Sequence, residues 1–211
     1  MDAVVLPTAR LLPSVRSVRR LTDREDARGA FGFERKVYGL PIQLSAWADP
    51  RSRCLKASGV TDPEMVVITL REAQHWPERN SDVAEWVKAG LELRRRGYRV
   101  VVVRDTRRAG EDIDGLECDH TAAVHVADRA NLYQRAGLCL FVNNGPMVLA
   151  TFMNRPLINW RPICETHRAS SSSYIRRCGW APGTPPPGAP AHQRWIWGPD
   201  TAASIIEEVC R

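Results

Sequence analysis

Apolar and polar positions along this 211-residue chain fall into two regimes. Residues 1–62 carry little apolar periodicity and are broken by Pro7, Pro13, Pro41 and Pro50. From Glu64 onward, short apolar runs alternate with amphipathic stretches. Met65–Leu70 predicts a buried strand. Asn80-Ser81-Asp82 offers caps for a helix with Val83, Trp86, Val87 and Leu91 on one stripe, closed by Gly97. Tyr98–Val103 predicts a second strand, and the charged stretch from Thr106 to Asp119 a loop, with a short strand before or around His125. Asp128 caps a helix containing Ala130, Leu132, Tyr133 and Ala136, which Gly137 ends.

The most informative run is Leu138–Met153, LCLFVNNGPMVLATFM. Leu138–Val142 suffices for a buried strand, Asn143-Asn144-Gly145 breaks it, and Pro146 opens an apolar helix. A strand turning through glycine into a helix leaves backbone N–H groups pointing outward at the positive end of a dipole, which suits a phosphate. Pro146 has no N–H, so the expected donors are Gly145, Met147 and Val148, beside the Asn143 and Asn144 side-chain amides. An ordinary turn using Gly and Pro for its geometry gives the same letters. Pro156–Trp160 predicts a further strand and 161–194, with Ser170–Ser173 and Pro185–Pro187, a long loop. Asp200 then caps a last helix with Ala202, Ile205, Ile206 and Val209 inward.

This alternation predicts an α/β class: a Rossmann-like parallel sheet with helices on both faces over 63–211, preceded by an incomplete N-terminal segment, 1–62. Ligands of such sheets gather beyond the strands' carboxyl ends. Those ends carry Arg71-Glu72, Arg104-Asp105-Thr106, Asn143-Asn144-Gly145 and Arg161. The loop after the first strand adds Arg79 and Asn80, and an arginine there can fork two phosphate oxygens.

Charge fits a nucleotide diphosphate, an acidic membrane surface or nucleic acid alike and does not choose among them. The formal net charge of +6, mostly from arginine, fits an anionic ligand. No aromatic-and-basic RNA-binding motif or zinc-finger spacing supports nucleic acid. Six cysteines (54, 118, 139, 164, 178, 210) without a CxxC pair read as reduced thiols, hence a cytoplasmic chain. No apolar run approaches the ~20 residues that span a bilayer. The basic N-terminus (Arg10, Arg16, Arg19, Arg20) suits a solvated lead-in or peripheral contact with an anionic membrane face. His75 beside Trp76 reads either as a general base or phosphate contact, or as a packed or solvated residue; His120 and His125 lack ligand-like partners, and Asp112-Ile113-Asp114 follows no strand, so no metal and no cofactor is expected. GxGxxG, the Walker loop, GxSxG and HExxH are all absent, which argues against dehydrogenase, NTPase, hydrolase and zinc-protease chemistry.

Two segments, ITLREAQHWPERN and LFVNNGPMVLATFMNRPLI, carry a family likeness within Val66–Pro156. This run resembles the C-terminal, donor-binding half of GT-B-fold glycosyltransferases, most of all the ADP-heptose:lipopolysaccharide heptosyltransferase family. The resemblance implies a nucleotide-diphosphate sugar donor in cell-surface polysaccharide or lipopolysaccharide synthesis. It implies that Asn144, Gly145, Pro146 and Met147 hold the donor diphosphate, with Arg71 and Arg79 as basic partners. Asn143-Asn144 stands where the family has an acidic or small polar residue and a serine, and Val148 where it has a histidine. The family's catalytic base sits in a second Rossmann-like domain for which residues 1–62 are too short, so no base is assigned. Two alternatives follow: a non-catalytic nucleotide-sugar-binding subunit needing a second chain for the acceptor domain, or a GT-B-fold sugar-nucleotide epimerase.

Overall fold

A computed structural model of the chain describes residues 61–167, 170–177, 180–186 and 189–211. The predicted N-terminal segment, with its four basic arginines, lies outside the described residues apart from Thr61 and Asp62. Six parallel strands form one sheet: β1 (Asp62–Thr69), β2 (Arg99–Val103), β3 (Glu117–Cys118), β4 (Ala136–Val142), β5 (Leu157–Trp160) and β6 (Gln193–Ile196). Their spatial order is β3-β2-β1-β4-β5-β6, the Rossmann-like arrangement. Six helices connect and flank them: α1 (Val83–Arg95), α2 (His120–Val124), α3 (Val126–Arg135), α4 (Gly145–Phe152), α5 (Ser172–Arg177) and α6 (Ala202–Cys210).

The central strands β1, β2 and β4 carry near-continuous apolar runs because both faces are covered. Along β1 the side chains of Met65 and Val67 enter one core and those of Val66 and Ile68 the other. The first core is closed by Ala122, Ala123, Ala130, Tyr133, Met147 and Ala150, from α2, α3 and α4. The second is closed by Trp86, Ala89, Leu93, Ala202 and Ile205, from α1 and α6. Trp86 meets Trp160 edge-on at 5.2 Å there, and Tyr133 meets Phe141 likewise at 5.4 Å in the first. Both cores end beneath the same rim, where the loops after β1, β2, β4 and β5 gather. No helix among the described residues is long and apolar enough to cross a membrane.

Several boundaries differ from the expectation. Helix α1 stops as expected: Gly97 takes φ +97°, while the Gly97 and Tyr98 N–H groups bond back to Arg94 and Leu93. Gly137 does not end α3; it lies inside β4, where an added Cβ would sit 2.3 Å from the Pro63 carbonyl oxygen. Here the glycine is set by the close approach of two strands. Asp128 lies within the first turn of α3 and pairs with His125 at 2.8 Å, with His125 at the cap. Asp200 leaves the cap of α6 to Thr201, whose side chain accepts from the Ser204 N–H. The stretch 161–194 contains α5 and the start of β6, and the short edge strand β3, expected before or around His125, lies before it at Glu117–Cys118, inside the stretch read as a loop.

Two glycines test this account by urea denaturation. Gly137→Ala is expected to lose about 1–3 kcal/mol, because Pro63 backbone must move. Gly145→Ala is expected to stay within about 0.5 kcal/mol of wild type, since its Cβ meets nothing within 4 Å.

Candidate functional site

In this strand order the chain reverses direction across the sheet between β1 and β4, and a crevice opens there beyond the strand ends. The loop after β1 forms one wall. Its ends are pinned together, the Arg71 N–H donating to Ser81 Oγ and the Ser81 N–H to the Arg71 carbonyl, both at 2.9 Å. Inside the loop the Arg71 guanidinium is buried and donates to the carbonyls of Trp76 (3.1 Å) and His75 (2.8 Å) and to Asn80 Oδ1. The Asn80 amide in turn braces Ala73, accepting from its N–H and donating to its carbonyl. Arg71 and Asn80, both predicted ligand contacts, therefore hold the loop in shape. Burial first, then the nearby Arg79, lowers the pKa of Arg71.

That scaffold supports an unusual backbone. Trp76 adopts φ 55°, ψ 66°, a left-handed conformation costing a bulky residue about 1–2 kcal/mol, yet its side chain stays 55% exposed. The Pro77–Arg79 3₁₀ turn follows and delivers Arg79 across the crevice, where Nη2 donates to the Asn143 carbonyl at 3.3 Å. Desolvation lowers the pKa of Arg79 as well. From the far side, Arg161 at the end of β5 donates to Asn143 Oδ1 at 3.3 Å. Its guanidinium lies 4.7 Å from the Trp180 ring and 5.8 Å from that of Trp197. The turn after β4 is thus gripped by two arginines. A cavity of about 200 Å³ opens beside it, lined by Glu78, Arg79, Asn143, Cys164, Ser170 and Asp200 among others.

The α4 terminus is narrower than the sequence suggests. Asn144 is its cap and accepts from the Met147 N–H at 2.9 Å, so Met147 is not an open donor. Val148 occupies the position whose N–H closes the first intrahelical bond on the cap carbonyl. This leaves the Gly145 N–H and Asn144 Nδ2, which is buried and finds no hydrogen-bond partner among the described residues. Pro146 fixes the first turn without a donor.

What distinguishes α4 is its charge environment. Every other described helix has a carboxylate at its N-terminus. At α1 the Asp82 side chain accepts from the Glu85 N–H, while Asp200 Oδ2 accepts from the Asp82 N–H (3.1 Å) and Trp86 Nε1 (2.5 Å). Glu85 in turn accepts from the Ala202 N–H of α6 at 2.7 Å. Asp119 caps α2, Asp128 lies in the first turn of α3, and Glu165 accepts from Ser172 at the start of α5. Only α4, among the described residues, is capped by a neutral amide with no acid in its first turn. Its dipole end remains uncompensated beside Arg79.

The remaining predicted residues form the wall behind β1 and β2. Glu72 and Arg104 make a two-pronged ion pair (2.5 and 3.0 Å) with side chains only 5% and 7% exposed, joined at its edge by Arg108 and Glu111. Hydrogen bonding to Glu72 raises the pKa of Arg104. Asp105 accepts from the Arg107 and Glu72 N–H groups, and the Thr106 hydroxyl donates to the Ala123 carbonyl. These residues shape the rim and are occupied in doing so. Asp112 meets His120 at 2.9 Å in an exposed turn, and among the described residues no group of three or more His, Cys, Asp or Glu could hold a metal ion. Burial pushes the Cys139 thiol up to about 12, which leaves it unreactive at neutral pH.

His167 was not foreseen. Nothing in the sequence marks it, because it arrives from the stretch after β5 and meets Trp76 only in the folded chain, rings edge-on at 4.6 Å. It is 8% exposed, and its Nδ1 is buried without a partner among the described residues. Desolvation, then Arg79, lowers its pKa below the ordinary histidine value.

Glu72→Ala should cost about 3–5 kcal/mol in denaturant unfolding because it strands a buried Arg104, while Glu111→Ala at the exposed edge should leave the unfolding midpoint nearly unchanged. His167 gives a pH signature. With its folded pKa below the unfolded value near 6.5, its contribution to stability is present above that value and lost as pH falls through the folded pKa. Melting temperatures measured from pH 7.5 to 5 should therefore fall more steeply for wild type than for His167→Gln. Compared with known proteins, the chain matches no family model, no curated protein and no solved structure.

Proposed function

We propose that the crevice between β1 and β4 binds the diphosphate of a nucleotide-diphosphate sugar, and that the chain is the donor-binding part of a metal-independent GT-B-type glycosyltransferase. The observation that carries this reading is electrostatic. Helix α4 alone among the described helices presents a positive end to solvent without a carboxylate, at the reversal point of the sheet and beside Arg79. The Gly145 N–H, Asn144 Nδ2 and the Arg79 guanidinium are the groups that would meet phosphate oxygens. Gly145 supports the reading too. Its backbone does not have positive φ and its missing Cβ faces open space, so neither conformation nor packing calls for glycine there. A phosphate approaching the backbone would.

The chemistry would be displacement at the anomeric carbon. As the acceptor hydroxyl oxygen forms its bond and yields its proton to a base, the bond to the donor's phosphate oxygen breaks and its electron pair moves onto the diphosphate. Pre-aimed donors stabilise that charge better than the ground state, and removing one commonly costs about 3–4 kcal/mol. The resemblance to heptosyltransferases points to cell-surface polysaccharide or lipopolysaccharide as the product class.

A second reading, a nucleotide-sugar-binding subunit completed by a partner chain, is favoured by one observation. The rim carboxylates Glu72 and Asp200 are both engaged, one with Arg104 and the other with Trp86 and the α1 backbone. Neither of these two is then free to act as a catalytic base.

Calorimetric titration with UDP, ADP and GDP and their sugar conjugates tests the proposal. Expected is binding of at least one series without added magnesium, weakened tenfold or more by Gly145→Val and by Arg79→Ala. If no nucleotide binds, or if Gly145→Val binds like wild type, the proposal falls. Sugar transfer by the purified chain alone would remove the second reading.

A further inference from the structure

An indole is the least expected side chain to find raised into solvent on a braced, left-handed residue. Three features around Trp76 belong together. Arg71, itself buried, clamps the carbonyls on both sides of the peptide leading into it, those of His75 and Trp76. His167 meets the ring edge-on, with an Nδ1 that has no partner among the described residues. The ring remains 55% exposed, although burying it would be worth more than leaving it in water. Scaffolding of this kind holds a flat apolar surface in a set orientation without using it to close the core.

Position indicates what the surface meets. The Arg79 N–H bonds to the Trp76 carbonyl at 3.0 Å, so one short turn separates the ring from the guanidinium that reaches the Asn143 turn. A ligand with an anionic group at the α4 end and a planar aromatic group one turn away matches that layout. A nucleoside diphosphate is such a ligand. Aromatic rings hold bases of any identity, because every base has a π-face.

We propose that the exposed face of Trp76 is the stacking platform for the nucleobase, so that the site prefers nucleoside diphosphates to bare pyrophosphate. This rests on the diphosphate reading above and adds to it the aromatic half of the ligand.

The two are separated by titrating wild type, Trp76→Ala and Trp76→Phe with inorganic pyrophosphate and with UDP, ADP and GDP. Circular dichroism melting serves as the check on folding; the Arg71 clamp grips backbone carbonyls that every substitution retains. Expected is tighter nucleotide than pyrophosphate binding in wild type. Trp76→Ala should lose nucleotide affinity by about tenfold or more with pyrophosphate unchanged, and Trp76→Phe should keep most of it. Nucleotide should quench tryptophan fluorescence in wild type and much less in Trp76→Phe. Equal loss for pyrophosphate and nucleotide in Trp76→Ala, or no loss for either, overturns the platform while leaving the diphosphate site standing. If wild type binds neither ligand, both proposals fall together.

Discussion

The close approach of β1 and β4 is the constraint on which this molecule depends. These strands are 72 residues apart in their last register pair, Thr69 with Phe141, and they become neighbours only because the chain winds outward from β1 and then returns to its other side. Gly137 against the Pro63 carbonyl admits no side chain at the start of that seam, and the Thr69 and Tyr133 hydroxyls share a hydrogen bond of 2.9 Å against its far end. Everything at the rim inherits its spacing from this junction. The Arg71-braced loop and the Asn143 turn face each other because their strands do, and Arg79 spans the remaining gap.

Much of the fold was written in short-range pattern. Apolar runs of five or six residues gave β1, β2, β4 and β5, and the cap of α1 was spelled out by Asp82 and closed by Gly97. Glycine is ambiguous, however, when only its sequence neighbours are known. Gly97 and Gly137 both follow helical stretches, yet one permits a left-handed turn and the other a strand contact with Pro63, 74 positions away. Asp200 was misplaced for the same reason. A carboxylate before a helix looks like its cap, and only tertiary structure reveals that it serves α1 instead. The β6 strand, Gln193–Ile196, is short, at the sheet edge and interrupted by Arg194, so its period is too brief to read.

The candidate site was legible as a place more than as a set of contacts. Polar residues at every strand end marked the rim where the loops gather, and the NNGP turn marked the start of α4. Roles within the rim could not be assigned from composition, because an arginine that binds carbonyls and one that binds phosphate have the same letter. Arg71 and Arg104 are enclosed by acceptors from their own chain, whereas Arg79 touches one carbonyl at the crevice. His167 and Trp180 come from the stretch that read as loop, and their meeting with Trp76 and Arg161 depends on how that stretch crosses the strand ends.

The exchange of carboxylates between α1 and α6 has a mechanical consequence. Asp200 holds the start of α1 and Glu85 holds the start of α6, so neither helix can tilt away without stripping the other of its terminal partner. The two behave as a single plate under the cavity. Asp200 also lines the cavity, so the position of that wall is tied to the register of both helices at once.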